Sequence, residues 1–371
     1  MKNINWLLPT LALCSAASYA APFMAVGDNA ELFLTDSAAV RFDDNIFLDS
    51  NNEQSDTILS FTPGFDLVFG KGSATTGDIY YREEFRRYST HDNQNTSLSN
   101  LGFSSRYDNG KTKMGAAASY AQVAQSDNNT RASGTIVRRE VSNLNLNTEF
   151  AFSEKTSFGA ALVYDKTDYS PTSFTDSSSW AIPVDMYYEL SPKLAMSAGY
   201  RYRDTTLSGT ARDSTENFFN IGARGEFTPK LTGQVRVGYN QRSLDGASDQ
   251  TGLGLDSALT YAYSEKTSFQ LTVSNDFSNS ATGDNTKVRN YAVSTRSQMS
   301  EQWNFGASLG VRSVTYSNRS EDFFTGSVNV SYTFSTYLNF GASYAYSNND
   351  STLATASFKD TIFSFGANVR Y

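Results

Sequence analysis

The sequence has only one cysteine, Cys14, and one histidine, His91, in 371 residues. Cys14 lies within an expected N-terminal leader, so the mature chain can have no disulfide, thiolate metal site or cysteine nucleophile. A lipid anchor at Cys14 is disfavoured because Leu13 precedes it, where a small residue is expected. No run of about 18 apolar residues follows the leader, which excludes a transmembrane helix.

Linkers are missing as well. Prolines number only seven, and no Pro-rich or Gly/Ser-rich stretch divides the chain, so one repetitive domain is simpler than several domains. Tyrosine and phenylalanine are abundant, at 22 and 26 residues, and this composition favours strands over helices. The formal charge of −8 argues against nucleic acid as a partner.

Residues 1–20 are typical of a signal peptide that directs export. Lys2 supplies the positive start, residues 4–13 form the apolar core, and cleavage is expected between Ala20 and Ala21. We expect residues 21–37 to be a short periplasmic segment and residues 38–371 to be the main domain.

One hairpin element recurs about every 36 residues along that domain. Each copy has an apolar residue, a serine or threonine, a few polar residues and an apolar restart. The copies lie at residues 152–158, 190–194, 227–231, 263–269, 299–303 and 334–338, with further tight turns near 70–72 and 108–111. The period fits two membrane-crossing strands of about ten residues with one turn and one loop.

Longer polar segments separate these turns, at residues 49–55, 89–95, 125–135, 169–177, 207–214, 244–250, 278–286, 317–321 and 347–357. Between turns and loops, apolar and polar residues alternate, as where Val235 and Val237 flank Arg236. We therefore predict an all-β transmembrane antiparallel barrel of about 18 strands, with short periplasmic turns and longer extracellular loops. A propeller, a solenoid or a soluble β-sandwich is disfavoured, because one face of each strand stays polar.

The last strand also has a recognisable pattern. Phe363, Phe365, Val369 and Tyr371 are apolar at alternate positions, with an aromatic residue last. This resembles the C-terminal signal by which bacterial outer-membrane barrels are recognised for insertion. The barrel assembly machinery, outer-membrane lipids and lipopolysaccharide are the partners expected from this reading.

The alternation also predicts which side chains line the lumen. A barrel of this size leaves an aqueous channel, and its predicted lining is Arg82, Arg106, Arg201, Arg203, Arg224, Arg236, Arg242, Arg296, Arg312, Asp185 and Asp256. One hypothesis is that the arginines favour anionic or polyhydroxylated solutes. An alternative of equal weight is that they form structural ladders with inward acids. Because the loops are short, we expect little chain to fold inward and a rather open conduit.

Other chemistry has weak support. Ser89, His91 and Asp92 are neighbours on one predicted loop, which does not orient a catalytic triad. The segment Asp43-Asp44-Asn45 lacks the spacing of a calcium loop, and we interpret it as solvated rim charge, with contact to calcium or lipopolysaccharide as the alternative. No cofactor, metal or catalytic residue is predicted. Glu83 falls on an apolar face, where a β-bulge could redirect it.

Residues 25–70 carry a family resemblance. The segments that carry it are Ala25-Val-Gly-Asp-Asn-Ala-Glu-Leu32, Arg41-Phe-Asp-Asp-Asn-Ile-Phe-Leu48, Ser55-Asp-Thr-Ile58 and Thr62-Pro-Gly-Phe-Asp-Leu67. This segment resembles a family of β-barrel porins often encoded with exopolysaccharide synthesis and export machinery. The resemblance implies an outer-membrane pore that works with a polysaccharide export complex. A diffusion porin, an adhesive or structural barrel with a blocked lumen, and an outer-membrane hydrolase remain alternatives.

Overall fold

The computed structural model describes residues 21–127, 130–132, 134–170 and 173–371; the leader and Ala20 lie outside these ranges. Over the described residues, eighteen long strands form the main sheet. The first nine are β1 Ala30–Asp43, β2 Asp56–Phe69, β3 Thr75–Tyr88, β4 Thr96–Asp108, β5 Thr112–Ala124, β6 Arg138–Ala151, β7 Thr156–Tyr169, β8 Ser177–Ser191 and β9 Leu194–Leu207. The others are β10 Ser214–Thr228, β11 Leu231–Leu244, β12 Gln250–Ala262, β13 Thr267–Asn279, β14 Asn285–Gln298, β15 Trp303–Thr315, β16 Ser320–Thr333, β17 Leu338–Ser351 and β18 Phe358–Arg370.

The sheet closes on itself between its first and last strands. Every strand pairs antiparallel with its chain neighbours, and β1 also pairs with β18, with Ala38 opposite Ala367. The predicted 18-stranded barrel is confirmed. β1 begins at Ala30, within the segment expected to precede the barrel, because residues 30–37 already pair with β2. A short strand, Met24–Val26, pairs back onto the start of β1.

The two faces of each strand differ in chemistry. On β8, Trp180, Ile182 and Val184 are 44%, 46% and 42% exposed. Ala181 and Tyr187, on the opposite face of the same strand, are buried. The same alternation runs around the barrel, so large apolar side chains cover its outside. Strands of 13 to 15 residues exceed the length of about 9 to 11 needed to cross a bilayer. They therefore extend beyond the membrane.

Local contacts explain why the tight turns form where the repeat predicts them. In the turn after β12, Ser264 Oγ accepts hydrogen bonds from the backbone N–H groups of Lys266 and Thr267 at 3.3 and 3.1 Å. The Tyr263 and Phe269 rings meet edge to face at 6.3 Å. The same ring pair recurs at two other turns, Phe152–Phe158 and Phe334–Phe340. These aromatics lie at one end of the barrel, as expected at a membrane interface.

Glu83 stays on the outer face. The pairing of β3 with β4 is continuous through Glu83 and Ser99, so no bulge redirects the carboxylate at that ladder. Instead, the Tyr81 hydroxyl donates to Glu83 Oε2 at 2.8 Å and the Ser99 hydroxyl donates to it at 2.6 Å. The charge is satisfied by neighbouring hydroxyls. Among the described residues, no helix is both long and apolar enough to cross a bilayer.

Candidate functional site: the barrel lumen

The predicted lining residues all lie on the face opposite the exposed apolar side chains. Contacts between strands that are not neighbours identify this face as the interior. Arg201 on β9 reaches Asp276 on β13 at 2.9 Å, although three strands separate β9 from β13 around the wall. Such a contact can form only across the inside of the barrel.

Five charged side chains form one network near the loop end of the lumen. Glu216 is 1% exposed and pairs with Arg203 and, at 2.9 Å, with Arg242. Asp276 accepts from Arg201 and lies 3.3 Å from Arg203. With three guanidinium groups and two carboxylates, the network has a net positive charge. Neither Glu216 nor Asp276 belongs to the predicted lining, although both follow the same alternation as the arginines.

A second set of pairs lies deeper, towards the turn end. Arg236 is 3.0 Å from Asp185 and 3.9 Å from Asp256. Arg224 lies 3.3 Å above the centre of the Tyr187 ring and pairs with a glutamate four strands away, Glu149, at 2.9 Å. These contacts support the structural-ladder hypothesis for these two arginines.

At β2 and β3, Gly64 provides room for another such pair. The Arg82 side chain crosses Gly64, where an added Cβ would lie 2.5 Å from Arg82 Cδ. Arg82 thereby reaches Asp66 at 2.5 Å, and Arg370 lies 3.8 Å from the same carboxylate. The glycine of the Thr-Pro-Gly element thus has a packing role beside the lumen.

Three predicted lining arginines differ from these ladders. Arg106 and Arg296 are exposed on the inner face, and no carboxylate of the described residues lies within 4.0 Å of either guanidinium. Arg106 lines a cavity of about 1110 Å³ at the turn end, with Lys113 and Glu149 nearby. Arg312, by contrast, is opposite Phe323 in a packed part of the wall. Among the predicted lining arginines, the freely accessible positive charge is therefore carried by Arg106 and Arg296, and Lys113 adds to it beside Arg106.

We expected little chain to fold inward, but the structure places two segments there. The first is the tip of the β13–β14 hairpin. Pairing between β12 and β13 ends at Asn275, and beyond it the arginine network holds β13 through Asp276. Thr175 belongs to the loop between β7 and β8. Its N–H donates a hydrogen bond to the carbonyl oxygen of Ala281, at the tip of the hairpin, at 2.8 Å. The hairpin thus crosses part of the mouth.

A cavity of about 1020 Å³ lies beside this hairpin. Its lining includes Phe277 and Lys287 from the hairpin, Arg212 from the loop after β9, Gln250 from the start of β12, and Tyr316 from the loop after β15. Burial raises the pKa of the Tyr316 phenol, and the nearby Glu321 carboxylate adds to the shift. Tyr316 is therefore a neutral hydrogen-bonding group at ordinary pH.

The second inward segment is the first part of the loop between β1 and β2. Ile46 and Phe47 pack against the inward side chains Ile58, Tyr88 and Leu98. Next to them, Leu48 packs with two other inward residues, Phe323 and Phe358. Ile46, Phe47 and Leu48, which follow the first strand in the sequence, therefore fold into the lumen.

Asn45 fixes this inward loop. It is fully buried and donates from Nδ2 to the Asp49 and Lys359 carbonyl oxygens at 2.9 and 2.8 Å, while its Oδ1 accepts from the Asp49 N–H at 3.0 Å. Sequence reasoning missed this function. The signal was present, because Asn45 belongs to the segment that carries the family resemblance.

His91 is not placed as part of a triad. Its Nδ1 lies 2.8 Å from Asp56 Oδ2, so its partner is Asp56 and not the adjacent Asp92. The Ser89 hydroxyl donates to the Thr57 carbonyl oxygen at 2.9 Å. The histidine is less solvated than expected, at 22% side-chain exposure, and packs on Phe47. Its contacts fasten a loop rather than activate a hydroxyl.

The residues of the expected insertion signal lie at the seam. Phe363, Phe365, Val369 and Tyr371 are 42% to 51% exposed on the outer face of β18 and just after it. Tyr371 exchanges two backbone hydrogen bonds with Leu34 of β1, at 2.6 and 2.9 Å. Ala21, on the far side of the expected cleavage point, is the first described residue and is exposed.

A closed antiparallel barrel with an apolar exterior and a charged interior defines the class of outer-membrane barrels. Within this class, the family described as "Putative beta-barrel porin 2" matches residues 21–371, and the chain belongs to this family. No match was found among curated proteins.

Solved structures agree in fold. A BenF-like porin from Pseudomonas fluorescens Pf-5 aligns with 10% identity and a TM-score of 0.50 over 92% of this chain and 99% of that chain. OccAB2 from Acinetobacter baumannii aligns with 11% identity and a TM-score of 0.50 over 93% and 98%. The FrpB iron transporter from Neisseria meningitidis (F5-1 variant) aligns with 9% identity and a TM-score of 0.50 over 93% and 83%. At such identities the likeness shows the fold alone.

Proposed function

We propose that this protein is a passive, non-enzymatic pore for small solutes in the outer membrane of a Gram-negative bacterium, with a preference for anions. The observation that carries the preference is the pair Arg106 and Arg296. Both guanidinium groups are exposed on the inner face and, within the described residues, have no carboxylate within 4.0 Å. Fixed positive charge on a pore wall lowers the barrier for anions and raises it for cations.

The ladder arginines contribute less to selectivity. Arg224 and Arg236 are each compensated by a nearby carboxylate, and inward acids such as Glu216 and Asp276 make the lumen less basic than its arginines alone suggest. We therefore assign the preference to the two uncompensated arginines and a structural function to the others.

The inward segments favour small solutes over polymers. The loop after β1 and the tip of the β13–β14 hairpin both occupy part of the mouth. A function in exopolysaccharide export rests only on the resemblance of residues 25–70. A diffusion pore agrees with the lumen at least as well, and porin is the word used for the family.

The test is ion selectivity of the purified mature chain in planar bilayers. In a potassium chloride gradient, the reversal potential should indicate anion preference, and the double variant Arg106→Gln with Arg296→Gln should move it towards zero. The matched control is Arg87→Gln with Arg289→Gln, which removes the same charge from exposed outer-face positions and should leave it unchanged.

Three results would contradict the proposal. Cation preference, or an equal shift in the control variant, would remove the anion assignment. Absence of any conductance would favour a structural or adhesive barrel with a blocked lumen. Normal solute permeability in cells combined with loss of secreted polymer on deletion would favour the exopolysaccharide function.

A further inference from the structure

Three aspartates meet where the first and last strands join at the loop end. Asp43 ends β1, Asp44 follows it, and Asp360 lies near the start of β18. One carboxylate oxygen from each lies within 4.8 Å of the others. The backbone holds this arrangement, because Asp44 N–H donates to the Thr361 carbonyl oxygen at 3.2 Å and Thr361 N–H donates to Asp44 Oδ1 at 2.6 Å.

The cluster is not the solvated rim charge that the sequence suggested. Asp43 is 6% exposed and Asp360 is 3% exposed, both on the inner face, while Asp44 is exposed. Burial of an ionised carboxylate is costly unless the charge is paired and its oxygens are bonded. Asp43 and Asp360 share a side-chain hydrogen bond, so full ionisation of this pair requires a partner that water cannot supply.

The protein supplies only part of that partner. Arg41 lies 3.0 Å from Asp43 and is the one cation of the described residues within 4.0 Å of the cluster. With Arg41 counted, ionisation of all three carboxylates would leave two negative charges uncompensated. This equals the charge of one divalent cation.

Unused oxygen atoms provide an independent observation. Asp360 Oδ1 is buried and accepts no hydrogen bond from an N–H or hydroxyl group of the described residues, and the Asp360 carboxyl is bonded only within the cluster, to Asp43. Ser347 lies directly opposite Asp360 across the β17–β18 ladder and is 2% exposed, and its Oγ also lacks a partner there. Buried polar atoms are rarely left without a partner. Both atoms are on the same inner face as the cluster.

We propose that Asp43, Asp44 and Asp360 bind a Ca²⁺ ion that fastens the closing seam of the barrel, with the Ser347 hydroxyl as a further oxygen donor. All these donors are oxygen, which suits hard cations and not the nitrogen- and sulfur-seeking transition metals. Ca²⁺ binds oxygens at about 2.3–2.6 Å, so its ligands can lie up to about 5 Å apart, whereas Mg²⁺ requires them at about 2.0–2.1 Å in near-octahedral geometry. The separations in the cluster suit Ca²⁺ without rearrangement.

The site would act on the first loop as well as on the seam. Asn45 follows Asp44 and bonds to the carbonyl oxygen of Lys359, the residue before Asp360. A bound ion therefore connects the inward loop, the end of β1 and the start of β18. Extracellular calcium sites commonly have dissociation constants of about 10⁻⁴–10⁻³ M, which we expect here.

The test uses the mature chain refolded into detergent without lipopolysaccharide. Isothermal titration with calcium chloride should give one site per chain, with weaker binding of magnesium. Asp360→Asn and Asp44→Asn should each weaken calcium binding roughly tenfold or more, since affinity follows the charge count of the ligands. Asp92→Asn, which removes an exposed acid from another loop at the same end, should bind as the unaltered chain does.

Thermal unfolding distinguishes lost binding from failed folding. With a chelator, Asp360→Asn should unfold at or above the temperature of the unaltered chain, because it replaces a buried carboxyl beside Asp43 with a neutral amide of the same shape, and calcium should no longer raise that temperature. Asp44→Asn alters an exposed side chain and keeps the test valid if Asp360→Asn does not fold. Calcium binding that is equal in all variants, or no binding up to about 10 mM, well above the usual range, would overturn the proposal.

Discussion

Asn45 illustrates how one side chain can determine the shape of the mouth. Its amide makes three hydrogen bonds inside a loop that would otherwise project into water. These bonds allow Ile46 and Phe47 to pack against the inner wall. At this position an amide can donate and accept together, which neither a carboxylate nor an alkyl group can do.

Asn45→Ala should therefore release the loop. The change leaves the Asp49 N–H and the Lys359 carbonyl oxygen without their partner, at a cost of about 1–3 kcal/mol for buried groups. Urea titration of the protein in lipid vesicles should report a corresponding loss of unfolding free energy, and single-channel conductance should rise as the mouth widens.

The control for this prediction is Asn51→Ala in the same loop. Asn51 is exposed, and its Nδ2 donates to the hydroxyl of its neighbour Ser50 at 3.1 Å. Asn51→Ala should change neither the free energy of unfolding nor the single-channel conductance. Equal effects of the two substitutions would mean that Asn45 does not hold the loop.

At the residue scale, the sequence predicted which face of a strand a side chain occupies but not its partners from distant strands. Alternation placed Arg201, Arg203 and Arg242 on one face, because the period of a strand is a local property. It could not indicate that Asp276 is the partner of Arg201 and Arg203, since that contact depends on β13 leaving the wall. For the same reason the cluster of Asp43 with Asp360 was missed, as its members are more than 300 residues apart in the sequence.

Among the elements, the turns were the most predictable and the inward hairpin the least. The turn at residues 263–269 contains its own serine acceptor and its own ring pair, so its sequence alone specifies it. The β13–β14 hairpin has an ordinary strand pattern. Its inward path is set by partners on β9 and β11, including Asn240, whose Nδ2 donates to Asp276 Oδ1 at 2.6 Å.

Asp276→Asn should loosen this hairpin. The substitution removes the charge that Arg201 and Arg203 hold, and cutting one member of a hydrogen-bonded ion network is usually costly. We expect a higher and noisier single-channel conductance, together with stronger anion preference because the lumen loses a negative charge.

Asp350→Asn is the control for the hairpin prediction, because Asp350 is an exposed acid at the loop end of β17. It should leave conductance and noise unchanged. A quiet Asp276→Asn channel with unaltered conductance would show that the hairpin does not depend on this carboxylate.

At the scale of the whole molecule, everything depends on closure. A sheet of this size has exposed edges unless its first and last strands pair, and within a bilayer no unpaired backbone group is tolerated. Closure here spans residues from Thr35 opposite Arg370 to Asp43 opposite Ile362. The sequence could predict the strand number and an even count, because turns and loops alternate regularly. It could not predict that β1 begins as early as Ala30.

Substitutions at the seam between β1 and β18 can show whether Tyr371 is an insertion signal or a structural contact. Tyr371 bonds to β1 through its backbone, so Tyr371→Ala keeps those bonds and should hardly change stability after refolding in detergent. Tyr337→Ala removes the ring that packs on Tyr371 at 5.6 Å and is the matched control.

If the terminal aromatic is recognised by the barrel assembly machinery, only Tyr371→Ala should lower the amount of folded protein in the outer membrane, by several-fold. Heat-modifiable gel mobility of membrane fractions measures this amount. Equal losses for both substitutions would assign Tyr371 to the aromatic girdle alone, because both changes remove one ring from the same rim. A selective loss would separate the information needed for insertion from the contacts that stabilise the finished barrel.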